Sequence, residues 1–217
     1  MYRQLPNLLT IMRLVLAGIF FVVLNLYRYE GPGGDVQALT LWISGIVFIL
    51  AAITDMLDGH LARRWQVESR FGRIMDPFCD KVLVIGAFIY LAGPRFIIPE
   101  AVEEGRFLTM VTGIYPWMVV VILARELFVT SIRGELEGQG AAFGANLFGK
   151  LKMILQSITI PTVLFIVWLD PIEKPWTAWV RDGFVYATVL ATILSGLPYL
   201  TGARRAMKAV EPIEPQS

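Results

Sequence analysis

The sequence predicts an all-α polytopic membrane protein: a bundle of about six transmembrane helices with both termini on the cytoplasmic side. Three observations carry this expectation. Hydrophobic residues make up 56% of the 217-residue chain and the mean hydropathy is +0.61, against roughly 45 to 50% apolar content in soluble domains. Apolar runs recur along the whole length, near 8–26, 39–53, 82–91, 115–129, 154–169 and 184–200. With both ends inside, 14 of the 19 Lys and Arg residues fall on one side and five (Arg28, Arg95, Arg106, Lys174 and Arg181) on the other, a bias that assigns the richer side to the cytoplasm.

The first run follows Pro6, which suits a first helical turn, and Asn7, a capping residue. Arg13 interrupts the run and no small-residue cleavage site follows, so it reads as a retained helix rather than a signal peptide. Thr10 and Arg13 are placed to face a headgroup from this helix. Several later runs are shorter than the roughly 20 residues a spanning helix needs. Their helices must therefore extend into the charged flanks.

Connections on the far side read as "YRYEGPGGDVQ", "GPRFIIPEAVEEGRF" and "DPIEKPWTAW", all rich in turn residues. Trp117, Trp168, Trp176 and Trp179 lie near span ends, where amphipathic rings anchor at the interface. Cys79 is the single cysteine, which excludes an internal disulfide and a multi-cysteine metal site. His60 has no second histidine with which to bind metal. The expected organisation is one membrane domain over residues 1–208 and a short disordered tail, 209–217, ending "EPIEPQS".

The stretch "TDMLDGHLARRWQVESRFGRIMDPFCDK" concentrates the chemistry. Asp55 and Asp58 are three apart, Asp76 and Asp80 four apart, so on helices each pair projects from one face. Gly59 to Met75 supplies a polar, arginine-rich turn that brings both pairs to one membrane depth. Two carboxylates about 4 Å apart repel by roughly 4 kcal/mol at an effective dielectric near 20. Four together require a cationic partner, and oxygen donors favour Mg²⁺ or Mn²⁺, which commonly share substrate phosphates. The alternative is a set of solvated caps paired with Arg63, Arg64, Arg70 and Arg73. Ionisable residues facing a bundle interior favour the functional reading.

Arg125, Arg133, Lys150 and Lys152 flank the fourth and fifth spans on the predicted cytoplasmic side and suit a second phosphate. Their other reading is plain positive-inside topology. Glu126 is either an orienting partner of Arg125 or an ordinary helix-end charge. The glycine-rich "RGELEGQGAAFGANLFGK" is either a mobile substrate-side loop or a simple connection.

Asp55, Asp58, Gly59, Ala62, Arg63, Gly72, Asp76 and Asp80 match, in residue and spacing, the signature of the CDP-alcohol phosphatidyltransferase family, which this chain therefore resembles. "PNLLTIMRLVLAG", "ARELFVTSIRGELEG" and "FGKLKMILQ" are similar to its bacterial phosphatidylglycerophosphate synthase branch. The resemblance implies transfer of a phosphatidyl group from CDP-diacylglycerol to sn-glycerol 3-phosphate, with release of CMP. It implies that Asp55, Asp58 and Asp76 hold a divalent metal and that Asp80 is a second-metal ligand, the general base, or both. It also implies that Gly59, Ala62 and Gly72 let the nucleotide or a neighbouring helix approach, and that Arg63 contacts the nucleotide or pairs with an aspartate.

Thr10, Arg125, Arg133, Lys150 and Lys152 are then the candidate acceptor-phosphate groups. A homodimer in the bacterial inner membrane, with its site facing the cytoplasm, follows from the same resemblance. No nucleic-acid partner is expected. The alternatives are the same chemistry on inositol phosphate or phosphatidylglycerol and, from another class, a divalent-cation transporter.

Overall fold

Six helices of at least 22 residues dominate the computed structural model, which describes residues 5–30, 35–65, 70–106, 109–138, 147–170 and 172–209. Within its helices, side chains are described except at 5–7, 9, 35–38, 57–65, 70–74, 76, 77, 136–138 and 201–209. In chain order the elements are α1 (Leu5–Leu26), α2 (Asp35–Trp65), α3 (Arg70–Leu91), a 3-10 turn (Pro94–Phe96), α4 (Pro99–Glu103), α5 (Pro116–Gly138), α6 (Leu147–Trp168) and α7 (Pro175–Ala209).

The helices outrun the apolar runs, as expected. The stretch 59–75 departs from expectation: α2 continues through Trp65 and α3 begins at Arg70, leaving 66–69 outside the described residues. Leu61, Ala62, Arg63 and Arg64 are good helix formers, and the single glycines 59 and 72 each cost only about 1 kcal/mol in a helix. The connection 92–115 is also more ordered than a turn, with α4 and an antiparallel bridge between Ile97 and Met110. Ala209, the first residue of the expected tail, belongs to α7; 210–217 lie outside the described residues.

Packing closes the helices into a ring. α1 lies against α2 and α3, α2 against α6, α6 against α7, α7 against α5, and α5 against α3, while α3 also meets α6 across the middle. Phe20, Phe48, Phe88, Leu91, Ile122, Ile160 and Leu164 fill the centre, all essentially inaccessible. At Gly86 the α1–α3 approach is so close that a Cβ would run into the Phe21 ring.

The outer surface is apolar too. On α1, Leu14, Val15, Ile19 and Val22 are exposed while Ala17, Phe20 and Leu24 are buried, the all-round hydrophobicity of a helix meant for lipid. By length and composition, three helices among the described residues can cross a membrane, within Leu39–Met56, Leu147–Trp168 and Pro175–Leu200. Pro161 and Pro198 sit inside α6 and α7, a placement membrane helices tolerate because neighbours re-satisfy the freed backbone groups. Trp117, Trp168, Trp176 and Trp179 are all exposed, and Trp168 also packs on Trp42 at 5.0 Å between ring centroids.

The end of the bundle holding residues 27–30, 92–106, 109–115, 169, 170 and 172–175 is laced by hydrogen bonds. Tyr29 N–H donates to the Arg95 carbonyl at 2.8 Å, Thr112 Oγ1 to the Leu91 carbonyl at 2.8 Å, and Arg181 Nη1 to the Val111 carbonyl at 2.7 Å. Gly113 has φ +66° beneath the Arg181 and Asp182 side chains. That combination of left-handed backbone and crowding requires glycine.

Candidate active site

The opposite end gathers buried charge. Arg13, one turn beyond Thr10 on α1, is 1% exposed and reaches across to α2, where Nη1 lies 2.6 Å from Asp55 Oδ1. Asp55 and Asp80 line one cavity of about 60 Å³ together with Arg13, Lys152 and Gln156, and Phe48, Ala51, Leu83 and Val84 form its apolar walls. That volume accommodates a few water-sized groups. The charges acting on Asp80 are those of Asp55, Lys152, Arg13 and Glu126.

A second cluster adjoins the first. Glu126 on α5 accepts from Lys152 Nζ at 2.5 Å and from Arg125 Nη1 at 3.1 Å, and its other oxygen lies 3.9 Å from Lys81 Nζ. Lys81 Nζ donates to Thr130 Oγ1 at 2.6 Å, and Arg125 Nη2 reaches the Ser195 carbonyl at 3.4 Å. Three cations from three helices thus converge on one carboxylate that is 15% exposed.

Of the candidate residues, the structure therefore brings together Asp55, Asp80, Lys152 and Arg125. Arg133 is set apart: its Nη2 donates to Tyr199 Oη at 2.9 Å and its guanidinium lies 5.8 Å from that ring's centroid. Lys150 is exposed, and its position two residues before Lys152 points it away from the cavity side of α6. Thr10 is buried on α1 and is not among the cavity's lining residues. Asp58, Gly59, Ala62 and Arg63 are in the last turns of α2, and Gly72 and Asp76 in the first turns of α3, but their side chains lie outside the described residues. Among the described residues no group of three or more acidic, histidine or cysteine side chains is assembled for a metal. Cys79 is buried, as a packing residue would be.

One group in this site had no assignment from the sequence, and a second had only part of one. Gln156 is 4% exposed and lines the cavity, and among the described residues its Nε2 has no hydrogen-bond partner. Leaving such a group unpaired is costly, so it is poised for an oxygen that enters the cavity. Its spacing of four from Lys152 was the available signal. For Glu126 the sequence offered its neighbour Arg125, and that contact is present; Lys152 and Lys81, which come from α6 and α3, had no signal.

The donor set fits a hard divalent cation. Two carboxylates face a small cavity, with oxygen the only anionic donor, the chemistry that Mg²⁺ and Mn²⁺ prefer.

A membrane bundle with carboxylates and cations gathered over one cavity is the architecture of an enzyme acting on phosphorylated groups, and the comparison with known proteins agrees. Residues 3–194 match the CDP-alcohol phosphatidyltransferase family, and the chain belongs to it. It is similar to the CDP-diacylglycerol–glycerol-3-phosphate 3-phosphatidyltransferase of Bacillus subtilis (strain 168), with 31% identity over 94% of this chain and 97% of that one. The proteins of the same name from Cereibacter sphaeroides and Salmonella paratyphi A are 33% and 30% identical, covering 78% and 94% of this chain and 67% and 97% of theirs.

Proposed function

We propose that this protein transfers the phosphatidyl group of CDP-diacylglycerol to sn-glycerol 3-phosphate, giving phosphatidylglycerol phosphate and CMP. The observation that carries the reading is the meeting of Asp55 and Asp80, from the two ends of the family signature, in one cavity beside Lys152. The similar proteins named for this reaction support the choice of donor and acceptor.

In this mechanism Asp55 and Asp80, with Asp58 and Asp76 from the same signature, hold a divalent Mg²⁺ or Mn²⁺. Bound there, the metal supplies charge neutralisation on the pyrophosphate. Arg13 orients Asp55 through its 2.6 Å ion pair. Asp80 accepts the proton of the attacking glycerol hydroxyl, whose oxygen bonds to the phosphorus bearing diacylglycerol as the bond to CMP breaks. Gln156 donates to a phosphate oxygen. Lys152 and Arg125 hold the acceptor phosphate. Arg63 contacts the nucleotide, while Gly59, Ala62 and Gly72 leave room for it. The chain's contribution is chiefly positioning and electrostatics. Six spans, both termini and the site on the cytoplasmic side of a bacterial inner membrane, and a homodimer complete the proposal.

The test is CMP release by the purified protein in detergent with CDP-diacylglycerol and Mg²⁺ or Mn²⁺, comparing glycerol 3-phosphate, inositol phosphate, serine and phosphatidylglycerol. Metal-dependent release with glycerol 3-phosphate alone is expected. Release with a different acceptor would replace the substrate assignment, and no release with any acceptor from folded protein would overturn the reading.

A further inference from the structure

Lys152 sits between two claims on its charge. Its side chain is 8% exposed, and its ammonium is 2.5 Å from Glu126 Oε2. It also lines the cavity that Asp55 and Asp80 share. A lysine is one compact charge on a flexible four-carbon stem. In a partly desolvated site it goes to whichever carboxylate attracts it most.

Glu126 has no place in the cavity itself, yet three cations are organised around it. Without its charge, the buried ammonium of Lys152 is left facing Asp80 and Asp55. It would pair there as a monovalent occupant of the oxygens that a metal requires. A helix-capping role does not account for Glu126, because it lies in the interior of α5 and its partners come from α3 and α6 as well as from its neighbour Arg125.

We propose that Glu126 is a positioning residue: its ion pair holds Lys152 back from Asp80 and so keeps that carboxylate open to a divalent cation, beside the Asp55 that Arg13 orients. The inference rests on the metal assignment made above. The same ion pair keeps Lys152 beside Arg125, where an acceptor phosphate meets both.

Direct Mn²⁺ binding to the full-length protein in detergent, read from the electron paramagnetic resonance signal of the free ion, tests this without turnover. Wild type, Glu126→Gln, Glu126→Asp, Lys152→Met and the double variant Glu126→Gln/Lys152→Met are compared. Glu126→Gln is expected to weaken Mn²⁺ binding about tenfold or more, and Glu126→Asp by no more than about threefold. Lys152→Met should bind at least as tightly as wild type, and the double variant should return to within about threefold of wild type.

Wild-type affinity in Glu126→Gln would overturn the inference alone. So would a double variant as weak as Glu126→Gln, which would mark a merely structural contact, or weakened binding by Lys152→Met, which needs no Glu126 variant to fold. Wild-type protein that binds no Mn²⁺ would overturn the metal assignment and this inference with it.

Discussion

The two ends of the bundle handle buried polarity in opposite ways. Around Tyr29, Arg95, Val111 and Arg181, side chains and backbone satisfy one another at 2.7 to 3.3 Å. Around Arg13, Asp55, Asp80, Lys152 and Gln156, charged groups border a cavity and one buried amide has no partner among the described residues. Satisfied polar groups fix a fold. Unsatisfied ones wait for a ligand. Substitutions at the two ends should therefore separate stability from activity.

The largest effect is expected at Asp80. Asp80→Asn keeps the side chain's size and removes the base, so kcat should fall about 10²- to 10⁴-fold, the usual worth of a positioned base. CDP-diacylglycerol binding, measured by equilibrium titration, should be largely retained. Undiminished CMP release would remove Asp80 from the chemistry.

Arg181→Met should do the reverse. It removes the donor to the Val111 carbonyl and the ion pair with Asp182. A hydrogen bond from a charged group contributes about 1.5 to 3 kcal/mol, so thermal denaturation in detergent should shift down while kcat and both KM values hold. A lost kcat at unchanged stability would contradict the division between the ends.

Gln156→Leu sharpens the contrast, because it replaces an unpartnered buried amide by an apolar group of similar size. Stability should be unchanged or higher. Turnover should fall about tenfold, the worth of one hydrogen bond to a charged oxygen. If activity and stability both stay at wild-type values, Gln156 has no role in the site.

What was legible in the sequence follows the same division. The helices were readable because lipid and core both demand apolar side chains, so the runs stand out. Their ends were not, since Leu61 to Trp65 carry charge yet propagate α2. Asp55 and Asp80 were readable from residue type and spacing. The partner of Arg13 was not: the side chain expected to face a headgroup instead pairs with Asp55, 42 positions away. The same holds for Glu126, whose bond to Lys152 spans 26 positions. Helix packing creates these pairs, and no local pattern encodes packing.

The smallest effect is expected at Tyr29, and pH gives it a signature. Its hydroxyl lies 3.3 Å from Asp170 Oδ1, outside the helices, and burial first and then the Asp170 charge push its phenol well above the ordinary range. Tyr27 is raised for the same reasons. A raised phenol means the folded state favours the neutral form. The stability it contributes is complete below the unfolded value, about pH 10, and is lost as pH rises from there through the folded value. Tyr29→Phe removes the hydrogen bond and should cost about 1 kcal/mol at neutral pH, with CMP release unaltered. Above about pH 10 the variant should lose stability less steeply than wild type, because it has one fewer group to ionise on unfolding. Parallel alkaline denaturation curves for the two proteins would mean that neither burial nor Asp170 holds this phenol neutral in the folded state.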